Sequence, residues 1–264
     1  MLRQNAQILY QKRIAPQVYR MGLACADLAA AASPGQFVMV RVSPKNVPLL
    51  RRPFSIHRPI GEGKGRQGVE LLYKVVGQGT QIMSQLAPGE VLDVLGPLGN
   101  GFTCPKTIKN VWLVAGGMGV ASLYYLACEL SKRDGLMQRI FLGGCSAADI
   151  LCEAELRAMG LDIQVTTEDC TFGEKGLITS ALEQALKNEV LPDRIFSCGP
   201  QAMLKAVGAL AAEHGVPCQM SLEAMMACGF GVCLGCAVHR ADGAPGYVHV
   251  CTDGPVFDAK EVRL

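Results

Sequence analysis

The chain has 264 residues, half of them hydrophobic, with a formal net charge of +2. At roughly 100–200 residues per domain this predicts two domains with room for a small appendage. Acids and bases are mixed along the chain, and no basic block or aromatic–basic interleaving points to nucleic acid.

Residues 1–103 read as all-β. Short strand-like runs at 8–14, 18–25, 37–42, 54–58, 69–76 and 91–95 are separated by Gly, Pro and Asn, with one short helix at 80–86. Such spacing predicts an antiparallel barrel. Residues 104–221 change pattern. Strands at 110–115, 139–144, 162–167, 194–198 and 218–222 alternate with helices ending near 132 and at 150–159, 177–188 and 200–214. That alternation predicts a parallel sheet covered by helices. Residues 111–128 carry no charge, but Gly116, Gly117 and Gly119 divide them into strand, turn and helix rather than a membrane span.

Residues 222–264 form a third, cysteine-rich segment. Cys228, Cys233, Cys236 and Cys251 follow C-x4-C-x2-C, then fourteen residues, then C. This is the plant-type [2Fe–2S] spacing. Gly229, Gly231 and Gly235 lie between the ligands, where a loop around a cluster needs freedom from Cβ clashes. Zinc is the competing metal, although zinc sites usually pair two C-x2-C units or add two histidines. His239 and His249 are nearby but read as loop surface. Ordinary buried thiols are the blandest alternative. The other eight cysteines are scattered singly, and the N-terminal residues lack the apolar stretch of a secretory signal. Unpaired thiols suit a reducing, cytoplasmic setting.

Two further constellations suggest nucleotides. Arg52, Pro53, Phe54 and Ser55 offer a guanidinium fork for a diphosphate, a fixed backbone and a hydroxyl for a flavin edge. A solvated Arg pair beside a strand is the plainer reading. Leu72, Tyr73 and Lys74 lead through a glycine loop to Gly79 and Thr80 at a helix start, where amides suit phosphate. Tyr73 could pack on a flavin or simply fill the barrel. In the second domain, Gly116, Gly117 and Gly119 connect the first strand to its helix, and Cys198, Gly199 and Pro200 form another strand-end turn. Ligands of open α/β sheets bind beyond the carboxyl ends of the strands. The segment 143–149, after the second strand, contains no base for a 2′-phosphate, so NAD is expected rather than NADP.

R-P-F-S, V-G-Q-G-T, G-G-M-G and C-G-P occur here in the order of the ferredoxin–NAD(P) reductase superfamily, which the chain resembles. With S-L-E-A-M-M-A-C-G-F-G-V-C-L-G-C, the resemblance narrows to the electron transfer subunits of class 1B dihydroorotate dehydrogenase, over nearly the whole chain. It implies a flavin barrel, a nucleotide domain and a cluster segment. It also implies a heterotetramer of two plus two with an FMN-containing subunit that oxidises dihydroorotate in pyrimidine biosynthesis. Electrons would cross the [2Fe–2S] cluster to FAD and leave as hydride to NAD. By motif, Arg52–Ser55, Leu72–Lys74 and Gly79–Thr80 would hold FAD, Gly116–Gly119 and Cys198–Pro200 would face NAD, and the four cysteines would hold the cluster. Ser55 near flavin N5 and Cys198 near the nicotinamide are the candidate orienting residues. A flavin or ferredoxin reductase-type subunit of another redox complex would share most of these motifs. A zinc-binding interaction module is the non-enzymatic alternative. Phe54 departs from the smaller aliphatic residue often found there, and Cys145-Ser146 from an Arg often found in relatives.

Overall fold

The structure is a computed structural model that describes every residue except Asn46, Asp242 and Ala244, and every side chain among them except that of Lys64. The chain divides into two compact units, and the C-terminal segment contributes to both. Residues 223–237 and 249–255 join residues 1–101, whereas 238–248 and 256–264 join 102–222.

The first unit is built on a closed six-stranded barrel. Strands β1 (Leu2–Ala15), β2 (Val18–Ala24), β3 (Phe37–Arg41), β4 (Arg52–Ile60), β5 (Gly68–Lys74) and β6 (Val91–Leu98) are ordered β1-β2-β5-β4-β3-β6. All six neighbouring pairs are antiparallel. Helix α1 (Ala26–Ala31), which the sequence reading leaves unassigned, follows β2, and α2 (Gln78–Met83) follows β5. Met21, Leu23, Val38, Met39, Ile56 and Leu71 are fully buried and form the core of this unit.

One row across the barrel explains a glycine in the middle of a strand. Tyr10, Gly22, Glu70 and Arg58 are successive register partners on β1, β2, β5 and β4. The Tyr10 ring lies directly over Gly22, where a Cβ would fall 2.4 Å from Tyr10 Cε1. From there the Tyr10 hydroxyl donates to Glu70 Oε2 at 2.6 Å, and Arg58 Nε donates to Glu70 Oε1 at 2.8 Å. Glu70 is 2% exposed, so these donors replace the water its carboxylate has lost.

The second unit is a seven-stranded sheet. Strands β7 (Asn110–Gly116), β8 (Met137–Gly144), β9 (Asp162–Thr167) and β10 (Glu174–Lys175) run outward in one direction. β11 (Arg194–Cys198) and β12 (Cys218–Ser221) run outward in the other. These six are parallel. After the short pair β13 (Ala237–His239) and β14 (Tyr247–His249), strand β15 (Val256–Asp258) adds to β12 antiparallel. Helices α3 (Val120–Leu130), α4 (Glu153–Ala158), α5 (Ile178–Asn188) and α6 (Gln201–Glu213) connect the parallel strands.

The uncharged stretch 111–128 now has a cause. Val111–Ala115 lie in the central strand, and residues 120–127 of α3 are all buried. No helix among the described residues is long and apolar enough to cross a membrane. The strand order reverses between β7 and β11, which is where an open α/β sheet forms a ligand crevice. β7 ends in Gly116 and β11 in Cys198.

Candidate functional site

In the barrel unit, Arg52 opens β4 and lies against the start of α2. A Cβ on Gly79 would fall 3.2 Å from Arg52 Nε and 3.4 Å from its Cγ. Arg52 Nη1 donates to the Leu50 carbonyl at 2.7 Å, which holds the fork in place. Thr80 is spent on its own turn. Its Oγ1 accepts the Val76 and Gly77 amides at 2.9 and 3.2 Å and donates to the Gly77 carbonyl. Pro53, Ser55 and Lys74 are half-buried, whereas Leu72 is buried.

Tyr73 is 2% exposed. Its ring stacks on Tyr19 and meets Phe54 edge-on, with both centroids 5.7 Å away. Its hydroxyl donates to Gln11 at 3.1 Å. Burial pushes the phenol well above its usual range, so it stays protonated at neutral pH. Tyr73 and Phe54 therefore pack together as part of the barrel's aromatic cluster. A guanidinium over a glycine at a helix start, beside a half-buried serine, is a donor set that fits a dinucleotide diphosphate and an isoalloxazine edge.

In the sheet unit, the two glycine turns come together. A Cβ on Gly119 would sit 2.0 Å from the Cys198 carbonyl oxygen, and one on Gly199 would sit 3.0 Å from Gly116 N. A Cβ on Gly116 would meet Met203 Sδ at 2.6 Å and Pro200 Cδ at 2.9 Å. Gly117, with φ +50°, has nothing within 4 Å of the position of a Cβ. The turns interlock through backbone and the side chains of Pro200 and Met203 and leave open space beside Gly117, where a pyrophosphate would fit. The Cys198 side chain is buried.

The neighbouring strand ends are acidic. Cys145 Sγ donates to Glu168 Oε1 at 3.3 Å, and the Ser146 amide donates to Asp149. Asp169 accepts from the Thr171 hydroxyl at 2.7 Å, a bond that holds its carboxyl below the usual range.

The cysteine loop returns to the barrel unit. Cys228 Sγ accepts the amides of Phe230 and Cys233 at 3.5 and 3.4 Å. Cys236 Sγ accepts the amide of Cys251 at 3.4 Å. Burial opposes ionisation of Cys228, but the amides of Cys233 and Phe230, with the Cys233 thiol, bring it down to about 6. Cys251 is pushed up to about 12 by burial and by the adjacent Cys236. The thiols thus form two pairs, Cys228 with Cys233 and Cys236 with Cys251.

Among the described residues no three His, Cys, Asp or Glu side chains converge on a single ion position. Two irons with two thiolates each require pairs rather than one point of convergence, and amides directed at sulfur suit such a cluster. The two nearby histidines are occupied elsewhere. His239 lies 4.7 Å from the Tyr247 ring, and His249 Nδ1 lies 3.7 Å from Asp253. None of the twelve cysteines is in a disulfide.

Residues 7–102 match the family model of the oxidoreductase FAD-binding domain. Residues 223–263 match the iron–sulfur cluster binding domain of dihydroorotate dehydrogenase B. The dihydroorotate dehydrogenase B (NAD(+)) electron transfer subunit of Desulforamulus reducens is 38% identical, covering 98% of this chain and 97% of the relative. The chain belongs to the family of dihydroorotate dehydrogenase B electron transfer subunits.

That of Listeria monocytogenes serotype 4b is 39% identical over the full length of both. Among solved structures, a chain of the NADH-dependent reduced ferredoxin–NADP oxidoreductase, described for flavin-based electron bifurcation, superposes with a TM-score of 0.86. It is 29% identical and covers 98% of this chain and 89% of that one. As a member of this family, the chain is an oxidoreductase subunit with an FAD-binding and an iron–sulfur-binding domain. The groups that brace the motifs left no mark in the sequence. Asn100, which bonds to Thr252 across 152 residues, lies in no motif, and only the structure brings it to the cysteine loop.

Proposed function

We propose that the chain carries electrons between an FMN-containing, dihydroorotate-oxidising catalytic subunit and NAD, in a cytoplasmic assembly of two copies of each subunit. A [2Fe–2S] cluster bound by Cys228, Cys233, Cys236 and Cys251 and an FAD bound along Arg52–Ser55, Leu72–Lys74 and Gly79–Thr80 would link them. When bound, the flavin supplies hydride exchange with a nicotinamide and single-electron exchange with the cluster, which converts two-electron into one-electron traffic.

The protein's own work is positional. Arg52 neutralises the diphosphate, and Ser55 presents a hydroxyl to the reactive ring edge. The turns at Gly116–Gly119 and Cys198–Pro200 seat the NAD pyrophosphate on bare backbone, with Cys198 orienting the nicotinamide. Asp149, Glu168 and Asp169 disfavour a 2′-phosphate at the neighbouring strand ends, which supports NAD over NADP.

The observation that carries this reading is the pairing of the four thiols under backbone amides, in the same compact unit as the R-P-F-S strand. The test is anaerobic purification with iron, sulfide and flavin analysis, followed by addition of a class 1B catalytic subunit and dihydroorotate. NADH formation that needs both chains is expected. A colourless protein would refute the cofactor assignment, and a coloured protein that forms no NADH would refute the partner. The likeness to the bifurcating oxidoreductase chain favours one second reading, a subunit serving another redox complex. Coupling to ferredoxin instead of dihydroorotate would select it.

A further inference from the structure

We infer that Asn100 is a positioning residue for the iron–sulfur cluster, and that its carboxamide sets the hydrogen bond from the Cys251 amide to the sulfur of Cys236. This rests on the proposed reading of the four cysteines as cluster ligands.

Asn100 stands just beyond β6 and grips the chain that follows Cys251. Its Nδ2 donates to the carbonyls of Thr252 and Asp253, each at 3.0 Å. Its backbone amide donates to the Gly254 carbonyl at 2.6 Å, and it forms an isolated bridge with Pro255. One residue thereby fixes four consecutive positions after a ligand. The approach depends on Gly99, whose φ is +72°. A Cβ there would lie 2.5 Å from Pro255 Cδ and 2.6 Å from the Gly254 carbonyl oxygen.

The effect passes to sulfur through Thr252, whose γ-methyl would lie 2.8 Å from a Cβ on Gly231. Only a glycine fits between them. Thr252 directly follows Cys251, whose amide reaches Cys236 Sγ at 3.4 Å. If Thr252 moves, the amide of the preceding Cys251 moves with it. Amides pointing at cluster sulfurs favour the reduced cluster, which carries one more negative charge. Asn100 therefore raises the cluster's reduction potential.

The same anchor is tied to the strand of Arg52 and Ser55. A Cβ on Gly99 would lie 3.0 Å from Phe37 Cε1, and Phe37 is the register partner of Ser55. Gln36 Nε2 donates to the Gly99 carbonyl at 2.8 Å. The cysteine loop is braced on this strand at a second point. A Cβ on Gly229 would lie 2.4 Å from Cγ of the fully buried Met39, the register partner of Pro53.

The test is a one-electron redox titration of the full chain followed by low-temperature EPR, on wild type and Asn100→Ala, with iron, sulfide and FAD measured on the same samples. Asn100→Ala is expected to keep FAD and iron. Poised at the wild-type midpoint, its reduced-to-oxidised ratio should fall about fivefold, the scale of one net hydrogen bond. That is about 40 mV at about 59 mV per tenfold for one electron. The g-values should shift as well.

A loaded Asn100→Ala protein with wild-type midpoint and g-values overturns this inference and leaves the proposed function standing. A wild-type protein without iron overturns both. If Asn100→Ala does not take up iron, Asn100→Gln, which keeps a carboxamide donor, should load and recover most of the wild-type midpoint. An Asn100→Gln protein as defective as Asn100→Ala overturns the inference.

Discussion

Replacing Gly119 with alanine would put a methyl carbon 2.0 Å from the Cys198 carbonyl oxygen, 2.4 Å from its carbon and 2.8 Å from Gly199 N, where ordinary contact begins at 3.4 Å. All three obstacles are backbone, so no side-chain rotation relieves the overlap. The two turns must separate by about 1 Å or more, at a cost of about 1–3 kcal/mol typical of overpacking. A displacement of that size at a positioning element lowers turnover about 10²-fold. We expect kcat/KM for NADH, assayed with ferricyanide as acceptor, to fall by that order while bound flavin and iron stay stoichiometric. Gly117→Ala is the informative contrast. Nothing stands within 4 Å of its added carbon, so the penalty is about 1–2 kcal/mol for a left-handed backbone. The methyl would occupy the space assigned to the pyrophosphate, so KM should rise more than kcat falls. A Gly119→Ala enzyme with wild-type kcat/KM would show that the interlocked turns are not the nucleotide cradle.

Three further outcomes are expected. Burial pushes the Glu70 carboxyl up, but Arg58 and Tyr10 more than offset it and hold its pKa below the usual 4.5. A depressed folded pKa means the stabilisation is present above the unfolded value and disappears as pH falls through the folded one. Arg58→Gln should therefore be about 2 kcal/mol less stable in urea at pH 7, with the gap narrowing below pH 4.5; a gap independent of pH would contradict this. Gly22→Ala should drive the Tyr10 ring off Glu70 and lose about 2 kcal/mol, whereas in a Tyr10→Ala background it should be nearly neutral, a coupling that a double-mutant cycle in urea measures. Cys198→Ala should slow NADH oxidation roughly tenfold through loosened nicotinamide orientation while FAD stays bound; loss of FAD instead would rule out that role.

The barrel and the sheet were legible because their strands are long enough for turn residues to punctuate them, and because the strands of the second unit alternate with helices. The uncharged stretch 111–128 resolved into strand and helix through its glycines, and burial of nearly every residue of α3 accounts for its composition. Helix α1 escaped because six alanine-rich residues are too few for a period to register. β15 escaped because three residues carry no alternation, and its partner β12 lies far back in the chain. Tyr73 stayed ambiguous because all of β5 but its last residue is buried, so alternation could not say which face it took. Spacing placed the cysteines in one local loop, but which thiols pair depends on how amides 230–233 and 251 fold around them. The clamp at Asn100 depends on a contact between distant segments, and distant contacts leave no local pattern.

The margins of the barrel and of the seven-stranded sheet carry a consequence of their own. A closed barrel has no edge to offer, and the seven-stranded sheet ends on one side in the two-residue β10, Glu174–Lys175, and on the other in the three-residue β15. Short, charged or reversed margins resist the strand-to-strand adhesion that drives aggregation. They also oppose recruitment by strand addition at these margins, so a chain that meets the barrel or the seven-stranded sheet is offered side chains and loops.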